Sequence, residues 1–371
     1  MLGKLRPGIA ALGFLLMLGG CAGERAPVAQ PSEPAAPAMV VLPPPPPAMP
    51  APVTGFQAFM QQVREQALAA GVRAATLDGI LPGLAYDQRV VDLDRSQPDD
   101  GGPSTRPPPL SDYLARRLDG ARIEGGRSRI GRLQPRLMAY ESRFGVPGGV
   151  LLGIWGMETS YGGYTGNFDV FRSLASLAYD GRRRPLFTRE LIAALQIVDR
   201  GLAPRYAMRG SWAGAMGNPQ FLPSSYLDGA VDGDGDGRAD IWNSEGDSLA
   251  SIANYLARAG WKRGQPWGLE VRVPQALNRA ALVATAPPAP SCTAALARHS
   301  RAMTVAEWRA LGLQPLGGQW PADELIATLI EADGPGGRAF LTFDNYRALL
   351  NYNCSNYYAI SVGLLADAIA D

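Results

Sequence analysis

Hydrophobic and polar positions follow two different periods along this chain. Apolar residues recur at helical spacing over residues 56–70, 113–118 and 133–144, and again from about residue 343 to the end. Residues 269–273 instead alternate as a strand does, and the residues after them carry short apolar runs broken by Pro and Gly. The pattern predicts an α+β protein that is predominantly α, with a small β-containing insert late in the chain.

The first residues have the pattern of an export signal. Lys4 and Arg6 precede an apolar run over residues 9–19, which is too short to span a bilayer as a helix. Leu-Gly-Gly-Cys then ends at Cys21 and resembles the lipobox of bacterial lipoproteins, where the leader is cut before a Cys that takes the lipid. By the same resemblance, Ala22 favours the outer membrane, facing the periplasm. The alternative is an ordinary signal peptide with a chance Cys near its end.

Residues 26–53 are dominated by Pro and Ala. The missing N–H groups of so many prolines exclude a helix or a sheet. We therefore predict an extended polyproline II tether, which at roughly 3.1 Å per residue spans up to about 100 Å. It would hold a folded domain away from a membrane surface, and a docking ligand is the alternative. Residues 92–110 predict a second polar, Pro-rich connection.

Composition and charge exclude several classes of protein. The 35 basic and 34 acidic residues give a net charge of +1, which argues against a protein held mainly by nucleic-acid phosphates. A hydrophobic content of 46% is too high for a wholly disordered chain. His299 is the only histidine, which argues against a zinc site of several His or a Ser-His-Asp triad. It lies in a polar, helix-like stretch, so we expect it at the surface.

Residues 149–163, GVLLGIWGMETSYGG, predict an apolar helix that carries one acid. Glu158 lies near its C-terminal end, one turn after Trp155, and we expect Gly162 and Gly163 to end the helix. Apolar surroundings and the negative end of a helix dipole both raise the pKa of a carboxyl group. A carboxyl that stays protonated near neutral pH can donate its proton to a leaving oxygen. On this stretch alone, a solvated or salt-bridged structural acid is the simpler interpretation.

Two further stretches carry polar groups suited to a ligand. Residues 208–226 include Gly-Ala-Met-Gly-Asn-Pro-Gln, whose small residues let backbone N–H groups and the Gln220 side chain approach a ligand closely. Residues 351–358, NYNCSNYY, combine amides, hydroxyls and aromatic rings, which are the groups that bind sugars. A turn between helices and a helix cap with core aromatics are the alternatives, and for Tyr357 the core position is favoured.

Together these stretches resemble the lytic murein transglycosylase B family, glycoside hydrolase family 103. The resemblance is carried by WGMET at 155–159, RGSWAGAMG at 209–217 with Gln-Phe after it, the Asp-Gly run from Asp232, and the 352–358 cluster. It implies a lysozyme-like catalytic core with an added helical region and a small β domain. We accordingly divide the chain into a signal peptide (1–20), a lipidated Cys and tether (21–53), a helical region (54–140), the core with its Asp-Gly loop (141–265), the β-containing insert (266–342) and the C-terminal part of the core (343–371).

The resemblance also implies an activity, which is cleavage of peptidoglycan between N-acetylmuramic acid (MurNAc) and N-acetylglucosamine (GlcNAc) without water, leaving a 1,6-anhydroMurNAc end. Glu158 would be the single acid and base, and no organic cofactor is implied. Residues implied to contact the glycan are Arg183, Arg184, Ser211, Gln220, Tyr352, Asn353 and Tyr358. A solvated basic run is an equal alternative for the arginines. A conventional muramidase hydrolase and a non-catalytic peptidoglycan-binding lipoprotein remain open, as does the oligomeric state.

The Asp-Gly run has the spacing of an EF-hand loop, D-x-D-x-D-G. Carboxylates at alternate positions converge on one hard cation, and a Gly at the sixth position permits the sharp turn. Asn243 stands at the twelfth position, where a standard loop has a bidentate Glu. An acidic turn without an ion is the alternative, but we favour a structural Ca²⁺. Its expected ligands are Asp232, Asp234, Asp236 and Arg238, with Asp247 supplying the missing carboxylate.

Two cysteines remain once Cys21 carries a lipid. In an oxidising periplasm Cys292 and Cys354 can form a bridge, which would pin the insert to the 352–358 segment. Two unpaired thiols are the alternative, because the sequence does not give their separation.

Overall fold

Fourteen α-helices and seven short strands form the part of the chain that this computed structural model describes, residues 55–97, 108–284 and 292–371. The helices are α1 Gly55–Ala69, α2 Ala74–Ile80, α3 Gln88–Arg95, α4 Leu110–Arg117, α5 Gly120–Phe144, α6 Gly148–Thr159, α7 Val170–Asp180, α8 Arg184–Asp199, α9 Pro223–Gly229, α10 Glu245–Arg258, α11 Thr293–Leu296, α12 Val305–Ala310, α13 Asp344–Tyr352 and α14 Asn356–Ala370. The strands are β1 Phe168–Asp169, β2 Arg209–Gly210, β3 Gly268–Arg272, β4 Met303–Thr304, β5 Gln314–Pro315, β6 Ile326–Glu331 and β7 Ala339–Thr342. The predominantly α, α+β class is thereby confirmed.

The signal peptide, Cys21 and the Pro-rich tether lie outside the described residues. Within them, no helix has both the length and the apolar character needed to cross a bilayer.

Strands β3 to β7 form one antiparallel sheet in the order β4-β6-β7-β3-β5. Alternate side chains of its central strands face two different cores. Leu329 and Leu341 pack with Trp308 in a core of the sheet's own. Ile330 and Phe340 belong to the large helical core. The sheet is therefore attached to the helices through one of its faces.

Helix α6 lies in the large helical core and packs on α14 with the two backbones in close approach. A Cβ atom on Gly149 would lie 2.9 Å from the carbonyl oxygen of Ala366, and one on Gly153 would lie 3.0 Å from that of Val362. These glycines are one turn apart on α6. Their missing side chains let the helix rest directly on the α14 backbone.

Replacing Gly153 with Val is expected to lower the free energy of unfolding by about 1–3 kcal/mol or more, because a branched side chain would push α6 away from α14. Urea denaturation followed by circular dichroism measures the change. Gly131→Val in α5 is the matched control, because a Cβ atom there meets nothing within 4 Å. Val is a slightly better helix former than Gly, so the control should lose no stability, and equal losses in the two variants would show that the close approach does not set the cost.

Two helix boundaries differ from the sequence predictions. Helix α5 begins at Gly120 rather than at residue 133, because the Asp119 carboxylate caps it by accepting from the backbone N–H of Arg122 at 2.8 Å. The Gly and Arg residues of its first half conceal the apolar period. Residues 92–95, predicted as connection, form the last turn of α3.

Candidate active site

Glu158 is the only residue of α6 that is not buried. The helix ends just after it, at Thr159, rather than at Gly162 as the sequence predicted. The reason is that Ser160 and Tyr161 take left-handed backbone conformations, with φ of 51° and 60°. The Tyr161 N–H then donates to the Trp155 carbonyl at 3.3 Å, which closes the helix end. The acid is thus presented at the edge of an otherwise buried helix.

The loop after β2 is held to α6 through Asn218, which is buried. The indole N–H of Trp155 donates to Asn218 Oδ1 at 3.0 Å, and the Thr159 hydroxyl donates to the Asn218 carbonyl at 3.2 Å. The Asn218 amide nitrogen donates in turn to the Ile241 carbonyl at 3.3 Å. This network fixes the glycine-rich stretch of residues 214–220, which the sequence predicted to approach a ligand, beside the last turn of α6.

Two tyrosines from the late cluster complete the surroundings of the acid. The Tyr358 hydroxyl donates to Glu158 Oε1 at 2.6 Å across 200 residues of sequence. The Tyr352 ring stacks on the Tyr358 ring with centroids 6.5 Å apart and planes 10° apart. The Tyr352 hydroxyl donates to the Pro219 carbonyl at 2.6 Å. The structure therefore brings Glu158, Tyr352 and Tyr358 into one cluster with the 217–220 loop.

Burial raises the pKa of the Glu158 carboxyl from an ordinary 4.5 to about 7. The hydrogen bond from Tyr358 lowers that pKa, as does the positive charge of Arg117, but loss of solvent outweighs both. No carboxylate of the described residues is among the groups that shift the pKa of Glu158. The group can therefore be protonated near neutral pH and lose its proton during a reaction.

Three other residues that were predicted to contact the glycan differ in their hydrogen bonds and exposure. Gln220 has a positive φ of 52°, and its amide nitrogen donates to the carbonyls of Thr165 and Gly217 at 3.0 and 2.9 Å. Ser211 Oγ accepts from the Ala215 N–H at 3.1 Å, which closes the turn before the loop. Asn353 is exposed where α13 ends.

Residues 55–367 match the sequence family described as the transglycosylase SLT domain. The chain belongs to this family. It is 32% identical to the membrane-bound lytic murein transglycosylase B of Escherichia coli over 234 residues, which are 61% of this chain and 58% of that relative. The match thus spans a little over half of the length of the curated relative.

Solved structures of relatives share the fold of this SLT-domain protein. SltB3 from Pseudomonas aeruginosa, in complex with NAG-anhNAM-pentapeptide, superposes with a TM-score of 0.74 at 41% identity, covering 85% of this chain and 80% of that one. Slt35 from Escherichia coli, in complex with calcium, gives a TM-score of 0.67 at 25% identity, covering 86% and 94%. The expected lysozyme-like architecture is therefore confirmed as that of lytic transglycosylases.

The predicted basic pair lies at the junction of α7 and α8. Arg183 forms an ion pair with the buried Asp94. Arg184 donates to the carbonyls of Ala178 and Tyr179 at 3.1 and 3.0 Å. Both guanidinium groups thus have partners within the described residues, and their contact with a ligand stays a prediction.

Sequence reasoning missed two aromatic residues of the site, Tyr113 and Tyr255. The negative charge of Glu158 raises the pKa of Tyr113, after the larger effect of burial. The Tyr255 ring lies 5.0 Å from that of Tyr352, edge to face. Each sits in an ordinary amphipathic helix, α4 or α10, so no local signal distinguishes it from a core aromatic.

The Asp-Gly loop gathers three carboxylates. Oxygen atoms of Asp232, Asp234 and Asp247 all lie within 4.8 Å of one another. Asp247 is buried and accepts from the Gly233 N–H at 2.8 Å. Asp236 stays outside the group and accepts from the backbone N–H of Arg238 at 2.9 Å. Oxygen donors at this spacing fit a hard cation.

A disulfide joins Cys292, just before α11, to Cys354, between α13 and α14. The two Cα atoms are 5.0 Å apart, within the usual range for such a bond. The bond ties the insert side of the chain to the turn that separates Tyr352 from Tyr358.

The predicted surface position of His299 is wrong. Its side chain is only 6% exposed, and burial lowers its pKa from 6.5 to about 4. Nε2 lies 3.0 Å from Asn356 Oδ1, and Nδ1 lies 3.0 Å from the Thr328 hydroxyl. An amide oxygen only accepts, so Nε2 carries a proton, and the lowered pKa leaves the imidazole neutral near pH 7. The residue links β6 to the first residue of α14, and its polar neighbours in sequence conceal this role.

Proposed function

We propose that this protein is a lytic transglycosylase that cleaves the β-1,4 bond between MurNAc and GlcNAc of peptidoglycan and leaves a 1,6-anhydroMurNAc end. The single observation that carries the proposal is the Glu158 carboxyl, with its pKa near 7 and its hydrogen bond from Tyr358. Family membership and the peptidoglycan fragment bound by the SltB3 relative support the choice of substrate.

In the first step, protonated Glu158 gives its proton to the glycosidic oxygen as the bond to C1 of MurNAc breaks. The N-acetyl group of the substrate stabilises the cation that develops at C1. Tyr358 donates to the carboxylate that forms, which makes Glu158 a better proton donor.

In the second step, the Glu158 carboxylate takes the proton of the muramyl C6 hydroxyl as that oxygen attacks C1. The nucleophile belongs to the same sugar, so its effective concentration is very high. Most glycosidases need a second carboxylate about 5–10 Å from the first, either to attack C1 or to activate water. The groups that shift the pKa of Glu158 are Tyr358 and Arg117, with no carboxylate among them, which is consistent with a one-carboxylate reaction.

The remaining predicted residues fit roles in holding the glycan. Gln220 keeps its carbonyl oxygen for a sugar hydroxyl while its amide nitrogen holds the loop. Ser211, Asn353 and Tyr352 would line the same cleft. Arg183 and Arg184 would contact the glycan strand farther from the bond that breaks.

Digestion of purified sacculi by the full chain in detergent tests the activity. Mass analysis should find muropeptides with anhydro ends, one water lighter than hydrolysis products. Products that retain that water would identify a conventional muramidase. Binding without any release of muropeptides would identify a non-catalytic wall-binding lipoprotein.

We also propose that the protein is a lipoprotein anchored through Cys21 in the outer membrane and facing the periplasm. The lipobox-like segment and the membrane-bound relative of Escherichia coli support this location. Metabolic labelling with a clickable fatty acid should mark the wild-type chain and leave Cys21→Ser unlabelled.

The Asp-Gly loop is proposed to hold a structural Ca²⁺, in line with the calcium complex of the Slt35 relative. Millimolar Ca²⁺ should raise the thermal midpoint by a few degrees over a chelator-treated sample, because an ion that binds only the folded state stabilises it. Asp234→Asn should abolish the rise, whereas Asp228→Asn, on exposed α9 surface, should keep it. An equal rise in both variants would place the ion elsewhere.

A further inference from the structure

Arg117, the last residue of α4, places a cation beside the reacting acid. Its side chain is exposed, and its guanidinium lies 5.7 Å from the centre of the Tyr113 ring. Burial raises the pKa of both Tyr113 and Glu158, and the positive charge of Arg117 offsets part of each rise.

This position is fixed by a neighbouring arginine. The Arg122 guanidinium donates to the Arg117 carbonyl at 2.6 Å, to the Gly156 carbonyl at 3.0 Å and to the Ser160 hydroxyl at 3.1 Å. It thereby ties the end of α4 to the last turn of α6, which carries Glu158. The backbone of Arg117 is held in place while its side chain remains free to reach into solvent.

The charge of Arg117 has no acidic partner among the described residues, whereas the charge of Arg122 is matched by Asp119 at 2.8 Å. The unmatched cation lowers the fraction of Glu158 that is protonated near neutral pH, because it favours the ionised form of the acid. A substrate anion that neutralises the cation would restore that fraction.

Peptidoglycan supplies such an anion close to the bond that breaks. MurNAc carries a lactyl ether at C3, and its carboxyl either bears the peptide stem, with carboxylates of its own, or is free in strands without stems. A guanidinium pairs with carboxylates through charge-assisted hydrogen bonds.

We propose that Arg117 forms a carboxylate-binding subsite next to Glu158, occupied by an anionic group that MurNAc carries. The inference rests on the proposed function and specifies which part of the substrate this site takes. Arg117 selects glycans that bear lactyl or stem carboxylates over neutral glycans of the same length.

Binding to three glycans tests the proposal, with the full chain carrying Glu158→Gln so that nothing is cleaved. The glycans are a stem-bearing strand, a strand stripped of its stems with free lactyl carboxylates, and a neutral chitooligosaccharide. Adding Arg117→Gln should weaken binding of an anionic strand roughly five- to tenfold, as expected for loss of a charge-assisted contact. Binding of the chitooligosaccharide should not change.

Two further variants separate this role from a structural one. Arg117→Lys keeps the charge and should restore part of the lost affinity. Arg116→Gln removes a neighbouring exposed arginine, whose Nε donates to the Asp112 carbonyl, and should leave all three affinities as they are.

Loss confined to the stem-bearing strand would identify stem carboxylates as the ligand, and loss on the stripped strand would identify the lactyl group. Unchanged affinities, or equal loss on the neutral glycan, would overturn the proposal. A wild-type chain that leaves sacculi intact would overturn the proposed activity instead, and the binding comparison would still decide the role of Arg117.

Discussion

Glu158→Gln is expected to reduce the release of muropeptides from sacculi about 10³-fold or more, because one group serves as both acid and base. Gln has nearly the same shape and its oxygen can still accept from the Tyr358 hydroxyl, so the cleft should keep its form and its affinity for glycan. Release is measured by chromatography of soluble muropeptides, and affinity by co-sedimentation with sacculi.

The stability of this variant provides the control. The pKa of the Glu158 carboxyl is about 7 in the folded protein against an ordinary 4.5. Its stabilising contribution is therefore complete below pH 4.5 and is lost as the pH rises through 7. Gln does not ionise, so the thermal midpoint of the variant at pH 8 should be no lower than that of the wild type. A variant that folds and retains more than a tenth of the activity would remove Glu158 from the mechanism.

The second large effect is on the pH dependence of the rate. Above a pH of about 7, kcat/KM should fall about tenfold for each pH unit, because the ionised acid has no proton to give. Tyr358→Phe removes a hydrogen bond that lowers the pKa of Glu158, so the alkaline limb should move to higher pH. Turbidity loss of a sacculus suspension between pH 5 and 10 measures both profiles.

Tyr226→Phe is the matched control for this shift. Its hydroxyl is also buried, but it donates to the Ala239 carbonyl at 3.0 Å and makes no contact with the acid. The control should reproduce the wild-type limb. A limb that moves to lower pH in Tyr358→Phe would contradict the assigned direction of that hydrogen bond.

The sequence was sufficient for the elements that depend on local pattern. The apolar run of α6 predicted a helix with one acid near its end, and that acid is the single residue of the helix that is not fully buried. The alternation at residues 269–273 predicted the strand that became β3. Both patterns are set by neighbours within two helical turns or a few strand positions.

The partners of the acid could not be predicted, because they arrive through long-range packing. Tyr358 is 200 residues away along the chain, and no spacing rule connects it to Glu158 without the resemblance to a family. The buried His299 illustrates the same limit, since its burial depends on β6 and α14 rather than on its polar neighbours in sequence.

The close approach of Gly153 to the α14 backbone fixes the relative position of the two helices that carry Glu158 and Tyr358. The proton donor and the hydroxyl that steadies it belong to two helices whose main chains touch, with no flexible side chain between them. A change that separates α6 from α14 would therefore also lengthen the 2.6 Å hydrogen bond from Tyr358 to Glu158. The geometry of the acid and its hydrogen-bond donor therefore depends on Gly153, which lies on the same helix as the acid.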